Sequence, residues 1–341
     1  MKNAKKNCSF IKVSLLVLLF YIAIPAFSQK NTISPGQLWI DDQGNHIQAH
    51  GGGIINYRDT YFWYGEERRQ GLDSAYRYVS CYSSKDLSNW KFEGDVFKMS
   101  DPDNLGRKWV LERPKVYYNR KTGKFVMYMH IDGQVKGEVG NYKYARVGTA
   151  ISDLPTGPFK FIRTFRPLGR ESRDIGQFVD DDGSAYLIFE DRPAGGFHIA
   201  KLSGDYLDVK EDVCFIKAPL EGGAIVNYNG LYYAIGSALT GWAPNPNKFA
   251  TAKSLRGPWS SFKDIAPSET NTYNSQSTFM LKITGSKSTS VIFVADQWKP
   301  GSLWDSRYLW MPLNIGNGAL ELPKPRPWKI NVETGKTQII K

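Results

Sequence analysis

Short apolar runs alternate with polar turns along most of the chain, beginning near residue 50. The runs are rich in Tyr, Phe, Trp, Val and Ile, while Gly, Asn, Asp and Pro mark the turns between them. This pattern is typical of β-strands joined by tight turns. A helical period never persists for more than about ten residues, so the chain is predicted to be all-β.

The strand pattern repeats five times. Each unit has a strand, a polar turn, an aromatic strand and a third strand, and three units close on the similar endings DLSNW, LPTGPF and LRGPW. Five units of roughly 60 residues predict a five-bladed β-propeller with long loops. A two-sheet sandwich would also contain many short strands, but the repeated ending favours the propeller.

Residues 1–28 have the features of a secretory signal peptide. Three lysines lie within the first six residues, an apolar run fills positions 13–24, and small residues occupy positions 26 and 28. The run is too short to span a bilayer comfortably, although an uncleaved membrane anchor is the alternative. We expect cleavage before Gln29, a secreted protein that works in the periplasm with no membrane in its mature form, and a single propeller domain over residues 29–341.

The charge balance narrows the partners. The chain carries 44 Lys+Arg and 33 Asp+Glu, a formal charge of +11, and removal of residues 1–28 lowers it to +7. A basic surface suits acidic partners, but these charges are scattered, and secretion makes nucleic acid an unsuitable partner. We therefore expect no nucleic acid, a polysaccharide or oligosaccharide substrate, and a monomer.

One polar position recurs at the start of the units. Asp174, Glu221 and Gln276 each lie nine residues before a turn glycine, and Glu112 lies eleven before another. In the first unit the corresponding stretch is His50 and the glycines that follow it. Since the innermost strands of a propeller begin at its central channel, these side chains are predicted to converge. Carboxyl groups brought together in this way acquire separated pKa values, as glycoside hydrolysis requires.

The alternative is that each acid caps a strand or pairs with an adjacent arginine, Arg113 beside Glu112 or Arg173 beside Asp174. Loop aromatic residues are a second signal, because sugar C–H faces pack on aromatic rings. The loop candidates are Tyr142, Trp242, Trp298 and Trp304. Core packing is the competing interpretation of each ring.

Familiar cofactor and metal motifs are missing from the sequence. It contains no G-x-S-x-G, H-E-x-x-H, C-x-x-C or P-loop. Its four histidines are scattered, and three cysteines are too few for a Cys-rich zinc module. We expect no metal and no cofactor.

The segments VLERPKV, SRDIGQF, PLEGGAIV, GWAPNPNK and YNSQSTF resemble glycoside hydrolase family 43, and more narrowly its exo-β-1,3-galactanase branch. The resemblance extends over nearly the whole chain after residue 28. It implies a five-bladed propeller and hydrolysis with inversion at the anomeric carbon.

The resemblance also implies roles. Glu221 would be the general acid, Asp174 would tune its pKa, and Glu112 and Gln276 would lie near the attacking water. The base Asp of most members is replaced here by Gly51, so either Glu112 or Gln276 must act as base. The expected substrate-binding residues are Glu66, His50, Tyr142, Thr240, Trp242 and Trp298.

One departure affects the substrate. Gly222-Gly223 follows the acid where the galactanases lead us to expect Ala-Pro, which predicts extra room beside the acid. The expected function is release of galactose from the non-reducing end of β-1,3-galactan, as in arabinogalactan. The alternatives are an α-L-arabinofuranosidase, a β-xylosidase and a non-catalytic sugar-binding propeller.

Overall fold

The computed structural model describes Met1 and residues 31–340, so the predicted signal peptide lies outside the described residues apart from Met1. Five antiparallel sheets follow one another along the chain, four of them with four strands and the last with three. This confirms the predicted all-β fold and the five-bladed β-propeller. None of the helical turns between residues 31 and 340 is long and apolar enough to cross a membrane.

The strands are numbered in chain order. Blade 1 contains β1 (His50–Tyr57), β2 (Thr60–Glu66), β3 (Tyr76–Ser84) and β4 (Lys91–Ser100). Blade 2 contains β5 (Val110–Asn119), β6 (Lys124–Asp132), β7 (Arg146–Ser152) and β8 (Lys160–Phe165). Blade 3 contains β9 (Ile175–Val179), β10 (Ala185–Asp191), β11 (Gly196–Leu202) and β12 (Val209–Ile216).

Blade 4 contains β13 (Leu220–Tyr228), β14 (Leu231–Ala238), β15 (Lys248–Ala252) and β16 (Lys263–Asp264). Blade 5 contains β17 (Gln276–Thr284), β18 (Thr289–Gln297) and β19 (Arg307–Pro312). Two hairpins follow, formed by β20 (Asn314–Gly316), β21 (Ala319–Glu321), β22 (Trp328–Asn331) and β23 (Lys336–Ile339). The short helical turns are Pro167–Gly169, Ser268–Thr270, Asn271–Asn274 and Leu303–Asp305.

The first strands of the blades form a closed ring. Strand β1 contacts β5, β5 contacts β9, β9 contacts β13, β13 contacts β17, and β17 returns to β1. Near the start of four of these strands the pairing is irregular, at residues 50–53, 112–115, 221–224 and 277–279. Such irregularities bend a strand and redirect its side chains. They lie at or directly after four of the five positions that the sequence predicted to face the channel.

Aromatic packing joins the last blade to the first. Trp63 of β2 and Trp310 of β19 have ring centroids 4.7 Å apart. Trp39, from the segment before β1, packs edge-on against Trp310 at 5.2 Å. The same segment continues along β19, where Gly36 N–H donates to the carbonyl of Tyr308 over 2.8 Å. Closure of the ring therefore depends on a buried aromatic cluster.

Replacement of Trp310, which is completely buried in this cluster, tests the closure. We expect Trp310→Ala to lower the free energy of unfolding by about 3–5 kcal/mol, because it leaves a large cavity between blades 1 and 5. Urea denaturation followed by tryptophan fluorescence measures the loss.

The matched control is Trp304→Ala in the same blade, since Trp304 is 38% exposed. Its effect should stay within about 0.5 kcal/mol. Equal losses for the two variants would contradict the closure role.

Candidate functional site

The four polar residues predicted from the first strands meet at one end of the channel. Gln276 Nε2 donates to Glu221 Oε1 over 3.0 Å, and the amide of Gly222 donates to Asp174 Oδ2 over 3.0 Å. A carboxylate oxygen of Glu112 lies within 4.8 Å of one from Asp174. The structure thus brings all four side chains into a single site.

Arg113 occupies the centre of this site and is only 4% exposed. Its Nε lies 2.7 Å from Asp174 Oδ2, and its terminal nitrogen donates to the carbonyl of Ser277 over 3.0 Å. Its backbone N–H donates to Glu66 Oε1 over 2.9 Å. Burial would lower the pKa of Arg113, but the carboxylates of Asp174, Glu221 and Glu66 outweigh it. Arg113 therefore connects blade 2 with blade 1 through its backbone N–H, and with blades 3 and 5 through its guanidinium.

The alternative in which Glu112 and Asp174 pair with the arginines adjacent to them in sequence is wrong. Arg113 pairs with Asp174 of the next blade and not with its neighbour Glu112. Arg173 lies 3.4 Å from Asp132 and from Glu171 and does not pair with Asp174. A strand directs adjacent side chains to opposite faces, so sequence neighbours are poor candidates for pairing.

Glu221 is a buried carboxyl with an elevated pKa. Burial raises its pKa first, and the negative charges of Asp174 and Glu190 add to the effect, reaching about 8. Arg113 and Arg192 oppose the shift, and Arg192 lies 3.1 Å from Glu221 Oε2. The side chain therefore retains a proton near neutral pH, as a general acid requires.

Glu112 has the opposite electrostatic environment. Burial alone would raise its pKa, but His130 and Arg68, together with a 2.8 Å hydrogen bond from Tyr142 O–H, lower it to about 2. His130 lies between two carboxylates, 3.3 Å from Glu112 and 3.0 Å from Asp132. Although burial disfavours its charge, these partners raise the pKa of His130 to about 10. Glu112 is consequently held as an anion beside a protonated imidazole.

The same atoms form the group best placed to hold a metal ion in the described residues. Ligand atoms of Glu112, His130 and Asp174 lie within 4.8 Å of one another. A metal ion would have to displace the proton from His130, whose pKa its two carboxylate partners raise to about 10. These two carboxylates hold His130 in its protonated form.

The amide of Gln276 has a fixed orientation. Trp298 Nε1 can only donate a hydrogen bond, and it lies 2.8 Å from Gln276 Oε1. The opposite end, Nε2, faces Glu221, the hydroxyl of Ser237 at 3.2 Å and the carbonyl of Gly241 at 3.4 Å. Trp298 thus belongs to the site through its ring nitrogen.

The predicted substrate-binding residues occupy different depths. Glu66, Glu112, Tyr142 and Trp242 line a cavity of about 370 Å³, and Trp242 is 40% exposed there. Thr240 is exposed and donates to the carbonyl of Ala243 over 2.6 Å.

His50 is completely buried, although it was predicted to contact substrate. Its ring stacks on Tyr308 at 4.9 Å and its Nδ1 lies 2.9 Å from Asp296 Oδ1. Direct contact between His50 and a sugar stays a prediction, since the ring is packed against protein on these sides.

The second strands supply site residues that, apart from Glu66, the sequence interpretation overlooked. Glu66 faces His50 across the blade 1 hairpin, and the equivalent partners elsewhere are His130, Ser237 and Asp296. A simple signal would have found most of this ring. Counting seven residues forward from the turn residues Asp59, Gly123, Gly183 and Gly230 reaches Glu66, His130, Glu190 and Ser237.

The space around the site glycines is filled. Gly51 has φ +57°, and a Cβ there would lie 2.4 Å from Glu66 Oε1. The expected extra room beside the acid is wrong, because a Cβ on Gly222 would lie 2.7 Å from the Ser277 carbonyl. The Gly223 carbonyl packs closely on Gly176, because a Cβ added at Gly176 would lie 2.0 Å from the Gly223 oxygen. The glycines serve close packing of the blades.

A further cavity, of about 840 Å³, lies elsewhere. Its walls come from the far ends of the first strands, among them Asn56, Val179, Asn227 and Thr284. The site carboxyls occupy the opposite ends of the same strands, so this cavity takes no part in the arrangement described above.

The propeller and its paired carboxyls define a glycoside hydrolase. Residues 52–287 match the model for glycosyl hydrolases family 43, and the chain belongs to this family. The comparison with curated proteins found no match.

Several solved structures are similar to this chain. A variant of the exo-β-1,3-galactanase from Phanerochaete chrysosporium, with β-1,3-galactotriose, is 39% identical over 91% of this chain and 71% of its own, with a TM-score of 0.83. The exo-β-1,3-galactanase from Clostridium thermocellum is 37% identical over 91% and 69%, with a TM-score of 0.81. A family 43 β-1,3-galactosidase with galactodeoxynojirimycin is 35% identical over 85% and 97%, with a TM-score of 0.75.

The contact between Gly51 and Glu66 gives a stability prediction. Gly51→Ala should lower the free energy of unfolding by more than Gly44→Ala. Both glycines have positive φ, but only at Gly51 does the added Cβ meet another atom within 4 Å. The shared backbone strain costs about 1–2 kcal/mol, and the collision adds to it.

Chemical denaturation of both variants measures the difference. In a double-mutant cycle, Gly51→Ala should cost less stability in a Glu66→Gly background than in the native protein, because the opposing carboxyl is already gone. Equal destabilisation of the two single variants would contradict the proposed collision.

Proposed function

We propose that this glycoside hydrolase is a secreted, monomeric exo-enzyme that removes galactose from the non-reducing end of β-1,3-galactan with inversion. The observation that carries the proposal is the separation of two carboxyl pKa values in one site, with Glu221 near 8 and Glu112 near 2. The substrate is inferred from the relatives, which are named as exo-β-1,3-galactanases and a β-1,3-galactosidase. Export follows from the predicted signal at residues 1–28.

In this mechanism Glu221 donates its proton to the oxygen of the glycosidic bond as that bond breaks. Asp174 keeps the pKa of Glu221 high through charge repulsion, while its own charge is compensated by Arg113. Water attacks the opposite face of the sugar, which gives α-galactose from a β-linked substrate. Protonation of the leaving group is the step that the buried carboxyl serves.

The water requires an orienting group and a proton acceptor. Glu112 is a permanent anion, but a base works best with a pKa close to the working pH, and a pKa near 2 makes it a weak acceptor. Gln276 lies beside the acid with its amide fixed by Trp298. We propose that Glu112 and Gln276 bind the water together and that one of them accepts its proton.

Sugar binding is assigned to the exposed side of the site. Tyr142 and Trp242 line the cavity next to Glu112, and Thr240 lies on the adjoining loop. Glu66 is buried and positions Arg113. We propose that His50 positions Trp298, since their ring centroids are 5.4 Å apart.

Proton NMR of the products from β-1,3-galactobiose and de-branched arabinogalactan tests the function. We expect α-galactose before mutarotation equilibrates the anomers. Early β-galactose would mean retention and overturn the mechanism. If the enzyme released sugar only from arabinofuranosides or xylosides, it would instead be an α-L-arabinofuranosidase or a β-xylosidase. Binding of galactan without any product would indicate a non-catalytic role.

Glu221→Gln should reduce kcat on galactobiose by about 10²–10⁴-fold, because glutamine cannot donate the proton. In the native enzyme, kcat/KM should remain constant at neutral pH and fall as pH rises through about 8, where Glu221 loses its proton. An acidic limb from Glu112 would lie near pH 2. Steady-state kinetics over this range measures both effects.

A 4-nitrophenyl galactoside provides the control, since its leaving group needs little protonation and the variant should lose less activity on it. Glu211→Gln, at an exposed residue paired with Arg256, should behave as the native enzyme. Retention of most galactobiose activity by Glu221→Gln would reject Glu221 as the acid.

A further inference from the structure

A second polar cavity lies next to the catalytic one. Its volume is about 360 Å³, and its walls include His46, Gln48, Glu67, Tyr82 and Trp304. Glu67 also lines the 370 Å³ cavity that contains Glu112. The two cavities therefore share a lining residue, Glu67, directly after β2.

Two hydrogen bonds fix the side chain of Gln48. Its Nε2 donates to the carbonyl of Trp304 over 2.8 Å and lies 3.2 Å from His46 Nδ1. A carbonyl can only accept, so the amide nitrogen must be on this side and Oε1 on the other. Because Gln48 is 3% exposed and its Oε1 has no partner within residues 31–340, a buried acceptor is left unsatisfied.

The same contact sets the tautomer of His46. Burial lowers the pKa of His46 to about 4, so its ring is neutral at working pH. Since Nδ1 accepts from Gln48, the hydrogen of the neutral ring is on Nε2. This nitrogen is also buried without a partner in the described part of the chain. Two residues that line the cavity, His46 and Gln48, therefore carry one donor and one acceptor that are both unused.

The remaining wall carries three aromatic rings, Tyr82, Phe92 and Trp304, and three charged side chains, Asp41, Glu67 and Arg69, so cations do not outnumber anions there. Trp304 is 38% exposed, and an exposed indole is a stacking surface for sugar C–H groups. Arg69 is the only cation among the described residues that line the cavity. It pairs with Glu67 at 3.1 Å and with Asp95 at 2.5 Å. A cation compensated by two carboxylates is a poor site for an anion.

We propose that this cavity binds a neutral saccharide unit of the polysaccharide, with Trp304 as the stacking surface and His46 and Gln48 as hydrogen-bonding partners. A sugar hydroxyl both donates and accepts, so neighbouring hydroxyls match the donor and acceptor pair. The proposal rests on the proposed function in one respect, that the enzyme acts on a neutral glycan. The cavity then holds a unit of the same glycan outside the catalytic cavity.

Indole N–H signals of tryptophan in Glu221→Gln protein test the proposal by NMR. The Trp304 signal, assigned by its loss in Trp304→Ala, reports on the second cavity. The Trp298 signal, assigned with Trp298→Phe, reports on the catalytic site. The probes are β-1,3-galactotriose, β-1,6-galactobiose and α-1,5-arabinobiose, with galacturonic acid as the anionic comparison.

We expect at least one neutral probe to shift the Trp304 signal in a saturable manner. Gln48→Leu should weaken that binding roughly tenfold, because it removes the acceptor but keeps the shape. Phe215→Ala, at an aromatic residue of blade 3 that is 36% exposed, should leave it unchanged. Galacturonic acid should bind no better than the neutral sugars.

Absence of any Trp304 shift with neutral probes at ~10 mM would overturn the proposal, whatever happens at Trp298. A Trp304 shift that is unaffected by Gln48→Leu would also contradict the proposed contacts. Saturable binding at Trp304, together with no release of galactose by the native enzyme, would support the second site and reject the proposed function instead. The two readouts therefore fail independently.

Discussion

The burial of Arg113 is the constraint on which the site depends. Removing a charged group from water costs several kcal/mol, and the cost is offset only when carboxylates and carbonyls surround it. Here the guanidinium contacts Asp174 from the third blade and Ser277 from the fifth, while Glu66 from the first blade accepts the backbone N–H of the same residue. The same contacts that stabilise the cation therefore hold the beginnings of the first strands together. Arg113 has φ +49°, an unfavourable backbone conformation for a residue other than glycine, and these contacts help to maintain it.

The position of this cation also determines which carboxyl keeps a proton. Asp174 has the direct 2.7 Å contact with Arg113, whereas Glu221 has only the partly exposed Arg192 close to it. With Glu190 and Asp174 both near, ionisation of Glu221 would add a third negative charge to a buried cluster. Across the site, His130 supplies Glu112 with a cation and removes the corresponding penalty. Two glutamates thus acquire opposite protonation states through their surroundings alone.

The sequence was sufficient for the ring of first strands and insufficient for the contacts between blades. Asp174, Glu221 and Gln276 share a fixed distance from their turns, and a repeat in sequence becomes a repeat in space when the blades are equivalent. Arg113 was noted only as a neighbour of Glu112, because pairing across blades has no fixed sequence separation. His130 and Glu190 occupy the equivalent position on second strands, and a count of residues from the turns would have predicted them too. Protonation states could not be predicted by counting residues, since burial and the distances between charges exist only after folding.

The glycine at position 51 shows how the fold limits the chemistry. Most members of the family are expected to have their base here, yet in this chain the Glu66 carboxyl occupies the volume into which any side chain would extend. That carboxyl accepts the backbone N–H of Arg113, so it cannot be moved aside without disturbing the central cation. A side chain at position 51 and the present position of the Glu66 carboxyl therefore exclude each other. In the proposed mechanism, activation of the water therefore falls to groups from other blades, and Glu112 and Gln276 are the polar side chains that the first strands of blades 2 and 5 present there.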